Sequence, residues 1–114
     1  MSAATENPWV PMVEGIARRT LVSGTTMLQV VVALAAGSHL PEHHHPHEQI
    51  AHVVRGKLRL VVAGVLHDLE PGESLYLAGN VPHSAEALEE TVVIDTFSPP
   101  REDFLAQDSA ARGT

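Results

Sequence analysis

The sequence has no cysteine. Without thiols the chain forms no disulfide and offers no thiolate to a metal, so any metal ion has to be held by nitrogen and oxygen. Aromatic residues are also scarce, at 4% of the chain against 44% hydrophobic residues in total. The core therefore has to be built mainly from aliphatic side chains.

Basic residues are few: 7 Lys and Arg stand against 14 Asp and Glu, which gives a formal charge of −7. A surface that follows nucleic-acid phosphates needs an excess of basic residues, so nucleic acid is a poor candidate partner. No apolar run is long enough to span a membrane, and the opening residues lack a basic stretch followed by an apolar one. We expect a cytoplasmic protein with no membrane partner.

The length of 114 residues suits one domain. Prolines near the start predict an N-terminal arm with an edge strand over residues 1–25. Residues 26–105 are expected to form the domain itself and to end in a short turn. The small, polar sequence AQDSAARGT predicts a flexible tail over residues 106–114.

Six apolar segments are short and rich in Val and Leu, as β-strands are. They lie at 26–36, 50–55, 57–63, 65–69, 74–78 and 91–97. Turn residues such as Gly37, Gly56 and Gly72 separate them. This spacing predicts an all-β sandwich or barrel. A single helical turn is expected only in SPPREDFL, after the last strand.

Half of the eight histidines lie in one five-residue stretch, HHHPH. On a continuous strand, His43, His45 and Gln49 share one face and His44 lies on the other. Imidazole suits divalent Ni, Fe, Zn, Mn or Co, and a histidine from a second strand would complete the set. His83, in the turn-like NVPHS, is the best candidate. The pattern predicts one divalent transition metal held by His43, His45, Gln49 and His83.

Two other interpretations of the histidines remain open. The stretch can be a flexible loop that binds metal only adventitiously. Alternatively, His45, His47 and His52 form a different ligand set, but that set leaves Gly37 and Gly56 without a role.

The motifs around this stretch resemble those of the cupin superfamily. The first cupin motif falls on Gly37, His43, His45, Gln49 and Gly56, with Gln in place of the usual Glu. The second is met by Gly72 and His83, with departures at Ala78, Asn80 and Ala87. The resemblance implies a single-domain cupin, a double-stranded β-helix or jelly-roll barrel, that forms a homodimer.

A closer resemblance, to the KdgF-type small cupins, lies in PEHHHPHEQ, PGESLYLAGNVPHSAEA and VIDTFSPPREDFL. Members of that family linearise 4,5-unsaturated uronic acids in pectin and alginate breakdown. They hold the metal with three His and one Gln, which accounts for Gln49. The resemblance implies an unsaturated sugar acid as substrate and places further active-site residues at Asp95, Phe97 and Arg101.

The residues themselves are compatible with these roles. On a strand over 91–97, Asp95 and Phe97 share an otherwise apolar face with Val93, and an acid there needs a partner or a function. Arg101, beyond the strand end, suits a bidentate clamp on a carboxylate. The alternatives are that Asp95 pairs with a surface base and that Arg101 caps the following turn.

Two rival functions fit the same fold. One is an iron or nickel dioxygenase, although such iron sites often include a carboxylate ligand. The other is a non-catalytic cupin that binds a sugar acid. Three His and one Gln are all neutral ligands, and this favours Lewis-acid chemistry over the dioxygenase.

Overall fold

The computed structural model describes residues 7–113 and contains two antiparallel β-sheets and one helix. The strands are β1 (Val10–Val13), β2 (Ile16–Ser23), β3 (Leu28–Leu34), β4 (His39–His43), β5 (Glu48–Arg55), β6 (Leu58–Val62), β7 (Val65–Leu69), β8 (Ser74–Leu77), β9 (His83–Ala87) and β10 (Thr91–Ser98). The helix is α1 (Glu102–Ala111). Residues 1–6 of the expected arm and residue 114 of the expected tail lie outside the described residues.

The two sheets pack against each other around an aliphatic core. The larger sheet has the strand order β1-β2-β3-β10-β5-β8 and the smaller one β4-β9-β6-β7. The alternation along β3 shows how a strand contributes to this core. Leu28, Val30, Val32 and Leu34 are buried, while the residues between them are only partly buried. Each of the six segments that the sequence predicted as a strand coincides with a strand of the structure. The all-β fold class is confirmed.

Gly56 illustrates how the barrel is closed between β5 and β6. Its φ of +90° lies in the left-handed region, and a Cβ at this position would collide with the backbone of Glu90 and Thr91. Only glycine tolerates both conditions. The last glycine of the expected first motif is therefore required by a close approach of two chain segments.

The structure corrects the prediction for residues 98–113. Instead of one turn and a flexible tail, α1 runs for 10 residues, and Phe104 and Asp108 on it are buried. Asp108 is held by an ion pair with Arg18 on β2. The helix is held in place by an ion pair with a residue 90 positions away in the chain. Its own sequence has little amphipathic periodicity, so the sequence alone did not indicate a helix here.

The N-terminal part of the chain also differs from the prediction. It contributes two strands, β1 at the edge of the larger sheet and β2 between β1 and β3. Arg18 and Thr20 are buried on β2, so the usual apolar-inside pattern is hidden there. No helix within residues 7–113 is long and apolar enough to cross a membrane.

Candidate metal centre

Three histidines converge where the two sheets meet. His43 ends β4, His83 begins β9, and the two residues are paired across the smaller sheet. His45 lies in the connection from β4 to β5. One ring nitrogen from each histidine lies within 4.8 Å of the others. This separation allows all three nitrogens to reach one ion.

These residues meet in a way that differs from the prediction. The sequence predicted His43, His45 and Gln49 on one face of a continuous strand. In the structure His45 lies outside the strands, and β4 and β5 belong to different sheets. The residues come together because the chain crosses between the sheets here. His44 is exposed and is not part of the cluster.

The hydrogen bonds of the three histidines define their tautomers. In each ring, Nδ1 lies within hydrogen-bond distance of a backbone carbonyl oxygen. The pairs are His43 with Pro41 at 2.8 Å, His45 with His47 at 3.1 Å and His83 with Val81 at 2.8 Å. A carbonyl only accepts, so Nδ1 carries the proton and Nε2 keeps its lone pair for a metal.

Gln49, on β5, lies next to this cluster. Its amide nitrogen donates to Asp95 Oδ1 over 3.0 Å, which turns its oxygen towards His45 Nε2 at 3.2 Å. With the tautomer above, two lone pairs face each other across this distance. In addition, Nε2 of His83 is buried without a hydrogen-bond partner. A divalent cation would satisfy all of these atoms, so the residues fit one divalent metal ion.

The protonation of the ring nitrogens also suits a metal. Burial, helped by the positive charge of Arg101, lowers the pKa of His45 to about 4. Burial likewise lowers the pKa of His83. Both rings are therefore neutral near pH 7, and no proton has to leave before they bind a cation.

A cavity of about 120 Å³ opens beside the cluster. It is smaller than the ~300–1,000 Å³ of ordinary ligand pockets, so only a small molecule fits. It brings together all three predicted catalytic residues and three of the four predicted metal ligands; His83 borders the adjoining apolar space. The lining residues are Met12, Val32, Leu40, His43, His45, Gln49, Asp95, Phe97, Arg101 and Phe104.

Asp95 lies on β10 with its carboxyl group facing this cavity. Burial raises its pKa to about 6, although the hydrogen bond from Gln49 and the charge of Arg101 act in the opposite direction. The alternative in which Asp95 pairs with a surface base does not hold, because its hydrogen-bond partner is Gln49. A carboxyl group with a pKa near neutrality can both take up and release a proton.

Arg101 directly precedes α1 and lines the same cavity. It occupies the N-cap position without a side-chain capping bond, so the capping alternative fails. Its guanidinium forms two bonds with Asp103, of 3.0 and 2.9 Å, and lies 4.0 Å from the centre of the Phe104 ring and 5.0 Å from that of Phe97. One edge of the guanidinium fork is thus occupied. No other group within residues 7–113 accepts a hydrogen bond from the remaining N–H groups, which leaves them available to bind an anion.

Sequence reasoning missed Asp103 and Phe104. Asp103 follows Arg101 by two positions, and this Arg-x-Asp spacing could have indicated that the two side chains pair. Phe104 gave none, because its contact with the cavity depends on how α1 docks. The alternative ligand set fails as well: Nδ1 of His52 is bonded to Ser74 Oγ over 2.8 Å, and the cluster within residues 7–113 does not include His52.

Comparison with known proteins places this site in a family. Residues 30–97 match the family model described as Cupin domain, which is more than half of the 114 residues. The chain belongs to the cupin family. The expected cupin resemblance and barrel fold are therefore confirmed.

Relatives of this cupin cover nearly its whole length. It is 37% identical over 102 residues to the pectin degradation protein KdgF of Dickeya dadantii, a match that spans 88% of this chain and 93% of that protein. The structure of KdgF from Halomonas sp. superimposes with a TM-score of 0.83 at 31% identity, covering 91% and 96% of the two chains. An RmlC-like cupin from Shewanella frigidimarina gives 0.84 at 31% identity, over 91% and 94%. The chain is a KdgF homologue.

Proposed function

We propose that this cupin opens the ring of a 4,5-unsaturated uronate, derived from galacturonate or mannuronate, to the linear 4-deoxy-5-keto acid. The homology to KdgF, a pectin degradation protein, supports this assignment. The observation that carries it is the cavity itself. An acid with a pKa of about 6, Asp95, and a cation with free N–H groups, Arg101, line the same small space as His43 and His45.

The reaction moves one proton and changes no oxidation state overall. The C1 hydroxyl gives up its proton as the bond from C1 to the ring oxygen breaks, which leaves an aldehyde at C1. The ring oxygen keeps the bonding electrons and becomes the enolate oxygen on C5. A proton then adds to C4, and the enolate becomes the C5 ketone. A group that accepts and returns protons is the main chemical requirement.

In this proposal Asp95 moves the proton. Its pKa of about 6 lets both of its protonation states exist close to neutral pH. Its bond from Gln49 fixes one carboxyl oxygen and leaves the other free to face the sugar. The apolar part of the cavity wall, which includes Val32, Leu40 and Phe97, reduces the water around the enolate and so limits proton exchange with solvent.

Arg101 and Phe97 bind the substrate. The N–H groups of Arg101 that Asp103 does not use pair with the C6 carboxylate. Phe97, in the wall of the cavity, packs against the sugar ring. The substrate is thereby oriented with its carboxylate towards α1 and its reacting carbons towards Asp95.

His43, His45, Gln49 and His83 would hold one divalent ion of Ni, Fe, Zn, Mn or Co. All four ligands are neutral, so a bound ion keeps its charge and supplies Lewis-acid polarisation to the sugar oxygens. The side chains contribute by presenting lone pairs without first losing a proton, as the low pKa of His45 ensures.

The assignment is tested by incubating the metal-loaded protein with unsaturated galacturonate and, separately, unsaturated mannuronate. The expected product is the linear 5-keto acid, identified by NMR, with no uptake of oxygen. Oxygen consumption coupled to turnover would instead support a dioxygenase. Binding of the acid without any conversion would support the non-catalytic alternative.

We further propose that the protein acts as a homodimer in the cytoplasm. The support for a dimer is an apolar patch on the outer face of the larger sheet, where Met27, Ile50 and Tyr76 are exposed around a shallow depression. Patches of this kind on a sheet face mark association surfaces. Sedimentation equilibrium is expected to give twice the chain mass, and Ile50→Lys to give the monomer.

A further inference from the structure

A buried ion pair joins β2 to the helix. Arg18 is 0% and Asp108 2% exposed, and their charged groups lie 2.9 Å apart. Removing two charges from water costs free energy that their attraction only partly returns, so such a pair is a weak source of stability. Its value lies in the geometry it imposes. The proposed function leaves this pair without a role.

Arg18 binds one face of α1 at three positions. Arg18 donates to the backbone oxygen of Phe104 over 3.0 Å, to the side-chain oxygen of Gln107 over 2.9 Å and to the carboxylate of Asp108. Positions 104, 107 and 108 lie on one side of a helix. The Thr20 hydroxyl adds a bond of 2.6 Å to Asp108. Both the rotation of α1 and its distance from β2 are thereby fixed.

Phe104 connects these contacts to the cavity. Its ring lies 4.1 Å from the guanidinium carbon of Arg18 and 4.0 Å from that of Arg101. Cations are attracted to the face of an aromatic ring, so the one ring holds both groups. It also meets Phe97 edge to face, with 5.7 Å between the ring centres. A shift of Phe104 therefore moves Arg101 relative to the cavity.

The second support of Arg101 belongs to the same helix. Asp103, which binds it bidentately, lies in the first turn of α1. The side chain of Arg101 is only 13% exposed. Within residues 7–113, the hydrogen bonds and ring contacts of this guanidinium come from α1 and Phe97. Arg18 is one of the groups that hold α1 in place.

We propose that Arg18 and Asp108 are positioning residues for the substrate carboxylate: they dock α1 on β2 and, through Phe104, set where Arg101 presents its free N–H groups. This inference rests on the proposed role of Arg101 in binding the uronate. Neither residue lines the cavity. Their effect is therefore expected on substrate affinity and not on proton transfer.

The first test is Asp108→Asn in the full-length, metal-loaded protein. KM for unsaturated galacturonate is expected to rise by a factor on the order of ten, with kcat within about threefold and the metal content unchanged. Asp68→Asn is the matched control, because Asp68 forms a similar pair with Arg59 at 2.8 Å on the surface. It should leave KM as it is. A fall in kcat with KM unchanged would overturn the proposal.

A double-mutant cycle separates positioning from general loosening of the fold. In the Arg101→Gln background, Asp108→Asn is expected to change KM by less than about twofold, because the group that it positions is already gone. If the two substitutions raise KM independently, Arg18 and Asp108 do not act through Arg101, and the proposal fails.

An NMR measurement on the protein without substrate keeps this inference distinct from the proposed function. The side-chain Nε–H resonance of Arg101, whose proton bonds to Asp103, is expected to shift or broaden in Asp108→Asn and to stay unchanged in Asp68→Asn. An unchanged resonance in Asp108→Asn overturns the positioning role. If the wild type fails to convert uronates while this resonance moves, only the proposed function falls.

Removal of one buried charge can prevent folding, so a second variant is needed. Arg18→Met/Asp108→Leu replaces the pair with apolar side chains of similar size, a change that buried ion pairs often tolerate. We expect it to fold and to show the same raised KM and altered Arg101 resonance. A folded double variant with wild-type KM and resonance would contradict the proposal.

Discussion

The amide nitrogen of Gln49 donates a hydrogen bond to Asp95 across 3.0 Å. The side-chain oxygen of Gln49 lies 3.2 Å from His45 Nε2. One neutral side chain therefore contacts both the proposed proton-transfer group, Asp95, and a proposed metal ligand, His45. A hydrogen bond to the ionised form stabilises it, so Gln49 holds the pKa of Asp95 below the value that burial alone would give. A glutamate at position 49 could not donate this bond.

The first prediction therefore concerns Gln49→Glu. A second carboxylate beside Asp95 raises the pKa of Asp95 further by charge repulsion. As a negative ligand it is also expected to tighten metal binding and to weaken the ion as a Lewis acid. The pH profile of kcat should move to higher pH with a lower maximum. Glu48→Gln, at the exposed neighbouring position, is the control; if both profiles match the wild type, the link between Gln49 and Asp95 has no catalytic role.

The second prediction concerns the metal ligands. His45→Ala and His83→Ala should each lose the ion, because each removes one of the converging nitrogens. His44→Ala should retain it, since His44 is exposed and outside the cluster. Elemental analysis of protein purified without a His tag or metal resin gives the answer. Loss of metal in His44→Ala together with retention in His43→Ala would show that the ligands are wrongly assigned.

Much of the fold followed from local patterns in the sequence, because most strands here bury alternate aliphatic residues. The six Val- and Leu-rich segments were found for this reason. β2 was not resolved as an interior strand, since a buried arginine occupies one of its inward positions. β4 and β9 were also missed as strands. The histidine-rich sequence at the end of β4 was assigned to a metal motif, and the start of β9 was assigned to the turn-like NVPHS.

The sequence predicted which residues meet at the candidate site better than it predicted how they meet. Motif spacing placed His43, His45 and His83 together, and the three do lie together, although not on one face of a continuous strand. Phe104 and Asp108 escaped prediction because their environment is set by Arg18, which lies 86 and 90 residues away. Long-range ion pairs of this kind leave no periodic signal in the chain.

The third prediction concerns stability and pH in the metal-free protein. Folding raises the pKa of Asp95 from 3.8 to about 6, so the ionised form is disfavoured in the folded state. As pH rises from about 4 to about 6, Asp95 alone should lower the free energy of unfolding by about 3 kcal/mol for a shift of roughly two units, while the lowered pKa of His45 acts in the opposite direction in wild type and variant alike. Asp95→Asn has no ionisable group at this position and therefore lacks this pH-dependent contribution to the free energy of unfolding. Urea unfolding should show its advantage over the wild type growing across that range; a constant difference would contradict the raised pKa.

The fourth prediction concerns recognition of the carboxylate by Arg101. Arg101→Lys keeps the charge but loses the planar fork that bonds Asp103 and an anion at once. KM should rise by a factor on the order of ten or more. Arg112→Lys, at an exposed arginine beyond α1, is the control. Equal activity of the wild type on uronates and their methyl esters would remove this role.

The central claim is proton transfer by Asp95 in ring opening, and the most direct test is the rate at which the ultraviolet band of the conjugated C4=C5 bond disappears. Unsaturated galacturonate freshly released by a lyase is mixed with metal-loaded protein, beside a sample without protein for the spontaneous reaction. The wild type should exceed that background clearly. Asp95→Ala, with metal and fold retained, should lose a factor on the order of a hundred or more in rate, and Phe97→Ala should lose less. A wild type that never exceeds the background with either uronate and any of the candidate metals would contradict the account.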